Sequence, residues 1–239
     1  MGWPEDFNTN YQFLLRWLHF LGGITWIGML YFFNLVNVKF QKELDTSIKG
    51  KVNPPLLTRT LWWFRWGAVV TWVTGFLYYL AIIQTENPPG HKILALLLGW
   101  VVAYYVIKVL IWASSKGGAL KDGRALAVVI TIVVAAIAWV VGYYGRAWGA
   151  SSRSLSILIG GGLGTVMFMN VWMIIWPLQK KIIAAVKATA ESGAAVPAEQ
   201  PLWMRRAFLA SRTNAWLSVP MLFFMGAASH FPIFTVIGK

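Results

Sequence analysis

The chain has no cysteine, only three histidines, and 8 acidic residues among 239. Without thiols it can form no disulfide, thiolate zinc site, iron–sulfur ligation or covalent c-type haem attachment. Any redox centre it carries has to be held by histidine or methionine, or without a bond to the protein. There is no Ser-His-Asp grouping, phosphate loop or paired carboxylate within an apolar stretch, which argues against hydrolytic chemistry. Charge of both signs is sparse, at 12% of residues against 58% apolar. That is too little to coat a soluble domain of this size.

What is abundant is long apolar sequence. Crossing ~30 Å of hydrocarbon takes roughly 20 helical residues, and about six stretches qualify: 11–37, 57–83, 93–114, 124–144, 155–178 and 209–230. These predict an all-α, polytopic membrane bundle forming a single domain over 1–239. The first stretch follows an acidic segment and lacks a small-residue cleavage site, so it is expected to be a retained span and not a signal peptide. Basic residues set the orientation. Lys39, Lys42, Lys49, Lys51, Lys116, Lys121, Arg124, Lys180, Lys181, Lys187, Arg205, Arg206 and Arg212 fall in the connections assigned to the cytoplasm. The opposite connections hold Lys92, Arg146, Arg153 and Lys239 together with Glu5, Asp6 and Glu86. Both termini are therefore expected on the outer side of a bacterial inner membrane. The net charge of +13 then reflects contact with anionic lipid headgroups and not with nucleic acid.

Local signals refine this picture. Asn53-Pro54-Pro55 predicts an end to helix in a polar loop over 38–56, and Asn87-Pro88-Pro89-Gly90 a turn that delivers His91 to the third span. Gly160-Gly161-Gly162-Leu163-Gly164 allows close approach of another helix or of a flat ring, packing being the simpler reading. The stretch 179–208 reads as a cytoplasmic amphipathic segment, an interfacial helix plus a loop broken by Pro197 and Pro201. Arg65, Asn34, Asn37, Asn170 and Asn214 fall in the inner halves of the spans, where interhelical hydrogen bonding accounts for them. No internal repeat is evident.

Candidate chemistry gathers at the outer side. Arg16, His19, Gly23 and Trp26 share one helix face through i+3, i+4 and i+7 spacing. An imidazole is the usual axial ligand of haem b, a glycine one turn away leaves room for a porphyrin, and an arginine can pair with propionates. The alternatives for His19 are a hydrogen-bonded packing residue and a proton or quinone role; histidine at membrane depth is costly and points to function. His230 follows Gly226-Ala227-Ala228-Ser229, small residues that again leave space beside an imidazole, and could be the second iron ligand. His91, Met225, Met221 or Met29 could replace it, although His91 also reads as a solvated loop residue. Arg146 and Arg153 complete the set of arginines able to pair with propionates.

Several strings together resemble a known family. Arg16-Trp17-Leu18-His19-Phe20-Leu21-Gly22-Gly23-Ile24-Thr25-Trp26-Ile27-Gly28-Met29, LWWFRWGAVVTWVTGFLYY, GRAWGASSRS, GTVMFMNVWMIIWPLQKK and SRTNAWLSVPMLFFMGAASHFP resemble the membrane domain of PuuD-type urate hydroxylases, the urate oxidase N-terminal domain. A fainter resemblance, confined to Leu18-His19 and Trp26-x-Gly28-x-Leu30-Tyr31, is to HemJ-type membrane haem proteins. The first resemblance implies a membrane redox protein whose electrons reach cytochrome c. In that family a c-type cytochrome follows the membrane domain; here there is no CxxCH, which suits a subunit passing electrons to a separate cytochrome c or other redox subunit. The expected function is a haem b electron-transfer subunit linking an outer partner with quinone or cytochrome c. The alternatives are a urate or purine hydroxylase coupled to a separate cytochrome c, and a cofactor-free anchor of a respiratory complex.

Overall fold

The computed structural model describes residues 6–85 and 90–234, without the side chains of 46 and 47. Glu5, Glu86, Asn87-Pro88-Pro89 and Lys239 lie outside the described residues. The helices are α1 (Phe7–Tyr31), α2 (Val38–Glu43), α3 (Thr46–Ile83), α4 (Gly90–Ala95), α5 (Leu97–Lys116), α6 (Gly123–Ala147), α7 (Ser152–Asn170), α8 (Trp176–Ser192) and α9 (Gln200–Ala227). No strand occurs among the described residues. Five runs are long and apolar enough to cross a membrane: Phe7–Glu43, Ile48–Ile83, Gly90–Lys116, Gly123–Ala147 and Ser152–Ser192. Helix α9 is long but carries Arg205, Arg206 and Arg212 and is not among those five. An all-α polytopic bundle is thus what the fold shows. Its outward surface is apolar, as lipid contact requires: Phe13, Trp17, Phe20 and Ile24 of α1 are all exposed.

Two expectations fail. The segment 38–56 is not a loop, because α2 and most of the first turns of α3 occupy it, and Pro54 and Pro55 lie inside α3. Proline removes a helical N–H and crowds the preceding turn, but here the segment is tied down from both sides. Gln41 and Asn53 exchange side-chain amide hydrogen bonds of 2.8 and 3.0 Å, and Gly50 sits against Ala190 of α8. Nor is 179–192 a separate interfacial helix. Helices α7 and α8 form one run from Ser152 to Ser192, and the break comes at Gly193, in the left-handed conformation.

Two π-turns, Phe32–Asn37 between α1 and α2 and Val171–Ile175 between α7 and α8, give these long helices a shared architecture that their sequences do not display. An asparagine marks each and reaches α9. Asn34 Nδ2 donates to Ser211 Oγ at 2.9 Å. Asn170 Nδ2 donates to Asn214 Oδ1 at 2.8 Å, and Asn214 Nδ2 to the Met167 carbonyl at 2.9 Å. Asn170 and Asn214 are fully buried, so this clamp holds α9 against α7 where water cannot compete. Asn214→Leu is expected to lower stability by about 1–3 kcal/mol, since Asn170 would lose its acceptor in an apolar core. A chemical-denaturation series in detergent measures it.

The core lies where α3, α5, α7 and α9 meet. Trp100, Tyr104, Ile107 and Ile111 of α5 line up at i, i+4, i+7 and i+11 and are completely buried. At the basic end of the bundle Arg206 Nε donates to Ser115 Oγ at 3.0 Å and Arg205 to the Lys121 carbonyl at 2.8 Å. At the other end Tyr79 hydrogen-bonds Ser154 at 3.1 Å and the Phe234 amide donates to Ser152 Oγ at 3.1 Å.

Candidate functional site

The site begins where α1 and α3 cross closely over Gly22 and Gly67. A Cβ on Gly22 would lie 2.8 Å from Thr71 Oγ1 and 3.0 Å from the Thr71 amide, and one on Gly67 would lie 3.1 Å from the Trp26 amide. Small residues let two backbones approach in this way. One turn outward on α1, the approach sets the His19 ring directly on α3. Its Nδ1 is 2.8 Å from the Thr71 carbonyl. A carbonyl can only accept, so in the neutral ring Nδ1 carries the proton and Nε2 keeps its lone pair. Gly75 forms the floor beneath the ring, where a Cβ would come within 2.7 Å of both Nδ1 and Cε1 but 3.8 Å from Nε2. The Nδ1 edge is thus pressed on α3 and the Nε2 corner is the less confined. Among the described residues Nε2 has no hydrogen-bond partner.

Outward from His19, two arginines converge on one phenol. The Arg16 guanidinium carbon lies 5.8 Å from the centre of the Tyr78 ring and that of Arg153 lies 5.9 Å from it. Arg153 Nη2 also donates to Tyr78 Oη at 2.6 Å. Among the described residues neither arginine has a carboxylate partner, and the ion pair there is Lys187 with Glu191, at 3.8 Å. Two guanidinium groups about one phenol, with no carboxylate beside them among the described residues, make an anion-attracting mouth. Asp6, expected on this side, is an exposed N-cap of α1. The Thr9 hydroxyl and amide, both at 2.7 Å, hold its carboxyl below the ordinary aspartate range, so it is committed to the helix end. Inward, the Trp72 ring is stacked with Phe76 at 5.4 Å and Phe168 at 5.2 Å. Its Nε1 donates to Thr165 Oγ1 at 3.0 Å, joining α3 to α7.

Of the sequence-derived residues, the structure brings Arg16 and Arg153 together about Tyr78, with His19 one turn along α1 from Arg16. Trp26 is buried at the helix crossing with its Nε1 unpaired. Gly23 is half-buried and meets only Thr71 Cγ2, at 3.8 Å. The glycine beside the imidazole is Gly75, from the neighbouring helix, and the one at the tight crossing is Gly22. His91 is exposed in α4, Arg146 is exposed in the last turn of α6, and His230 is exposed in the turn after α9; no contact brings them to His19. Met225 packs with its Cε on Gly160 and Gly161 instead of on α1. No group of three or more histidine, aspartate or glutamate side chains able to hold a bare metal ion occurs among the described residues. Sequence reasoning missed Thr71, Gly75 and Tyr78. The small-residue pair at i and i+4, Thr71 and Gly75, was the available signal.

No curated protein and no solved structure matches the chain. The HemJ resemblance has nothing further to support it. The urate oxidase N-terminal family matches residues 46–237. That stretch contains Thr71, Gly75, Tyr78 and Arg153, whereas α1 with Arg16 and His19 precedes it. The match takes in well over half of the sequence and the chain belongs to the urate oxidase N-terminal family, a membership that relates its function to the urate hydroxylases.

Proposed function

We propose that the chain is a membrane-embedded haem b electron-transfer subunit of a urate- or purine-oxidising system, passing electrons between a redox partner at the Arg16 and Arg153 end and quinone or a separate cytochrome c. The observation that carries this reading is the tethering of His19. An imidazole whose Nδ1–H is fixed by a backbone carbonyl, with Nε2 left free, is prepared in the way that ligating histidines are held in metal sites. His19 Nε2 would hold the iron, and Arg16 and Arg153 would pair with the propionates. His230, His91 and Met225 lie apart from His19, so His19 is the one protein ligand this reading assigns. Haem b, when bound, supplies a reversible one-electron carrier. The protein's part is to orient the imidazole through Thr71 and Gly75 and to neutralise carboxylates at the mouth.

In this reading α9 is the sixth crossing, both termini face the outer side of a bacterial inner membrane, and the lysine- and arginine-rich ends face the cytoplasm. The test is a reduced-minus-oxidised visible spectrum with a pyridine haemochrome assay on the purified chain, expressed with ample haem. A b-type signal is expected, lost in His19→Ala and retained in His230→Ala. A colourless protein, or a spectrum untouched by His19→Ala, would overturn the reading.

Family membership favours one second reading, in which the same mouth binds the anionic purine itself. Arg16 and Arg153 would hold the substrate against Tyr78, with a separate cytochrome c as electron acceptor. Urate-dependent reduction of added cytochrome c by the purified chain, abolished in Arg153→Gln, is the result this reading expects; the electron-carrier reading expects none.

A further inference from the structure

At the basic end of the bundle one indole carries two cations. The Arg65 guanidinium carbon lies 3.8 Å from the centre of the Trp176 ring, and Lys180 Nζ lies 5.4 Å from the same ring. The π-turn Val171–Ile175 ends at Trp176, a departure from α-helical register of the kind frequent at functional sites. Cation–π attraction accounts for each contact singly, but it leaves two like charges beside one ring without a counter-ion among the described residues. Arg65 has no acceptor among the described residues, and its Nε is buried and unpaired. Nearby, Trp66 meets Trp172 edge to face at 5.8 Å, and Trp172 Nε1 is a second buried donor without a partner. These side chains therefore offer donors and positive charge and, among the described residues, no acceptor faces them.

Such a cluster is complementary to a compact anion rich in acceptor oxygens. The surroundings identify its source. Trp62, Trp63 and Met173, close in sequence to Arg65 and Trp172, are 47, 57 and 50% exposed, an apolar border suited to acyl chains and unsuited to a freely dissolved ion. We propose that Arg65, Lys180 and Trp176 form a binding site for the phosphate of an anionic phospholipid in the leaflet at the basic end of the bundle. Arg65 supplies the planar fork that matches phosphate oxygens, Lys180 a second charge, and Trp176 orients both. The inference is independent of haem.

The experiment is native mass spectrometry of the detergent-solubilised chain with phosphatidylglycerol or phosphatidylcholine added at equal concentration, repeated with inorganic phosphate as competitor. Retention of one phosphatidylglycerol in preference to phosphatidylcholine is expected. Arg65→Gln and Lys180→Gln should each reduce it about fivefold, the effect expected of one basic residue near an anionic headgroup. Lys187→Gln, which removes a lysine already paired with Glu191, should leave it unchanged. Lys180 is exposed, so its substitution tests the site without endangering the fold. Equal retention of the two lipids, indifference to both substitutions, an equal loss in Lys187→Gln, or displacement by inorganic phosphate would each overturn the proposal.

Discussion

Gly162→Ala is expected to be the most destabilising conservative substitution in this bundle, lowering the melting temperature in detergent by on the order of 10 °C. Gly162 of α7 faces the indole of Trp100 on α5, and an added Cβ would overlap the Trp100 ring atoms Nε1, Cδ1 and Cε2. Trp100 is fully buried, so its ring is enclosed by packed neighbours, and α5 would have to retreat from α7 or the ring be unseated. Overpacking a tight core costs about 1–3 kcal/mol, and unseating a buried tryptophan brings the total toward the 3–5 kcal/mol of a large core truncation. The mechanism makes a second demand. Trp100→Leu alone should be destabilising, yet in the Gly162→Ala background it should recover part of the loss, because the two residues compete for one volume. Melting curves of the four proteins decide. Strict additivity, or a Gly162→Ala protein that melts like the parent, would show that Trp100 does not rest on Gly162.

The second large effect is on the orientation of an imidazole more than on stability. A methyl group at Gly75 would come within 2.7 Å of His19 Nδ1 and Cε1. The ring is the end of a rotatable side chain and can swing away, so the folding cost should be modest, about 1 kcal/mol for the lost hydrogen bond to the Thr71 carbonyl. What cannot survive the swing is the fixed Nδ1–H···O=C tether that leaves Nε2 free. Under the proposed haem reading, Gly75→Ala is therefore expected to lose or markedly shift the b-type spectrum with little change in melting. Gly23→Ala, where the nearest neighbouring atom is 3.8 Å away, should change neither and can gain slightly in helix propensity. Equal spectra for the parent and both variants would remove Gly75 and Thr71 from the positioning of His19.

The contrast between Gly23 and Gly75 shows how far the sequence reached. Helical spacing placed Arg16, His19, Gly23 and Trp26 on one face of α1, which is a property of a single helix and follows from its 3.6-residue repeat. The residue beneath the His19 ring comes from α3, and the second arginine at the mouth comes from α7. Pairings between helices depend on the crossing of α1 and α3 at Gly22 and Gly67, which no periodicity encodes. The same limit explains the prolines. Local rules for Pro54 and Pro55 predict an end to the helix, while the Gln41–Asn53 amide pair and the contact of Gly50 with Ala190 hold it continuous.

Composition and apolar run length by themselves determined that the protein is an all-helical membrane bundle, because a chain with so few charges and such long apolar runs has no other way to satisfy its backbone away from water. They also determined which chemistries are out of reach without cysteine, and that one end of the bundle is basic. Tertiary structure alone decided which side chains face one another. It seated His19 on Gly75 and Thr71, brought Arg153 to Arg16 across Tyr78, left His91, His230 and Arg146 outside that group, and placed Arg65 and Lys180 about one indole. Each of these depends on the rotation and crossing of packed helices, set by where glycine and other small residues let backbones meet and by the summed packing of the surrounding side chains.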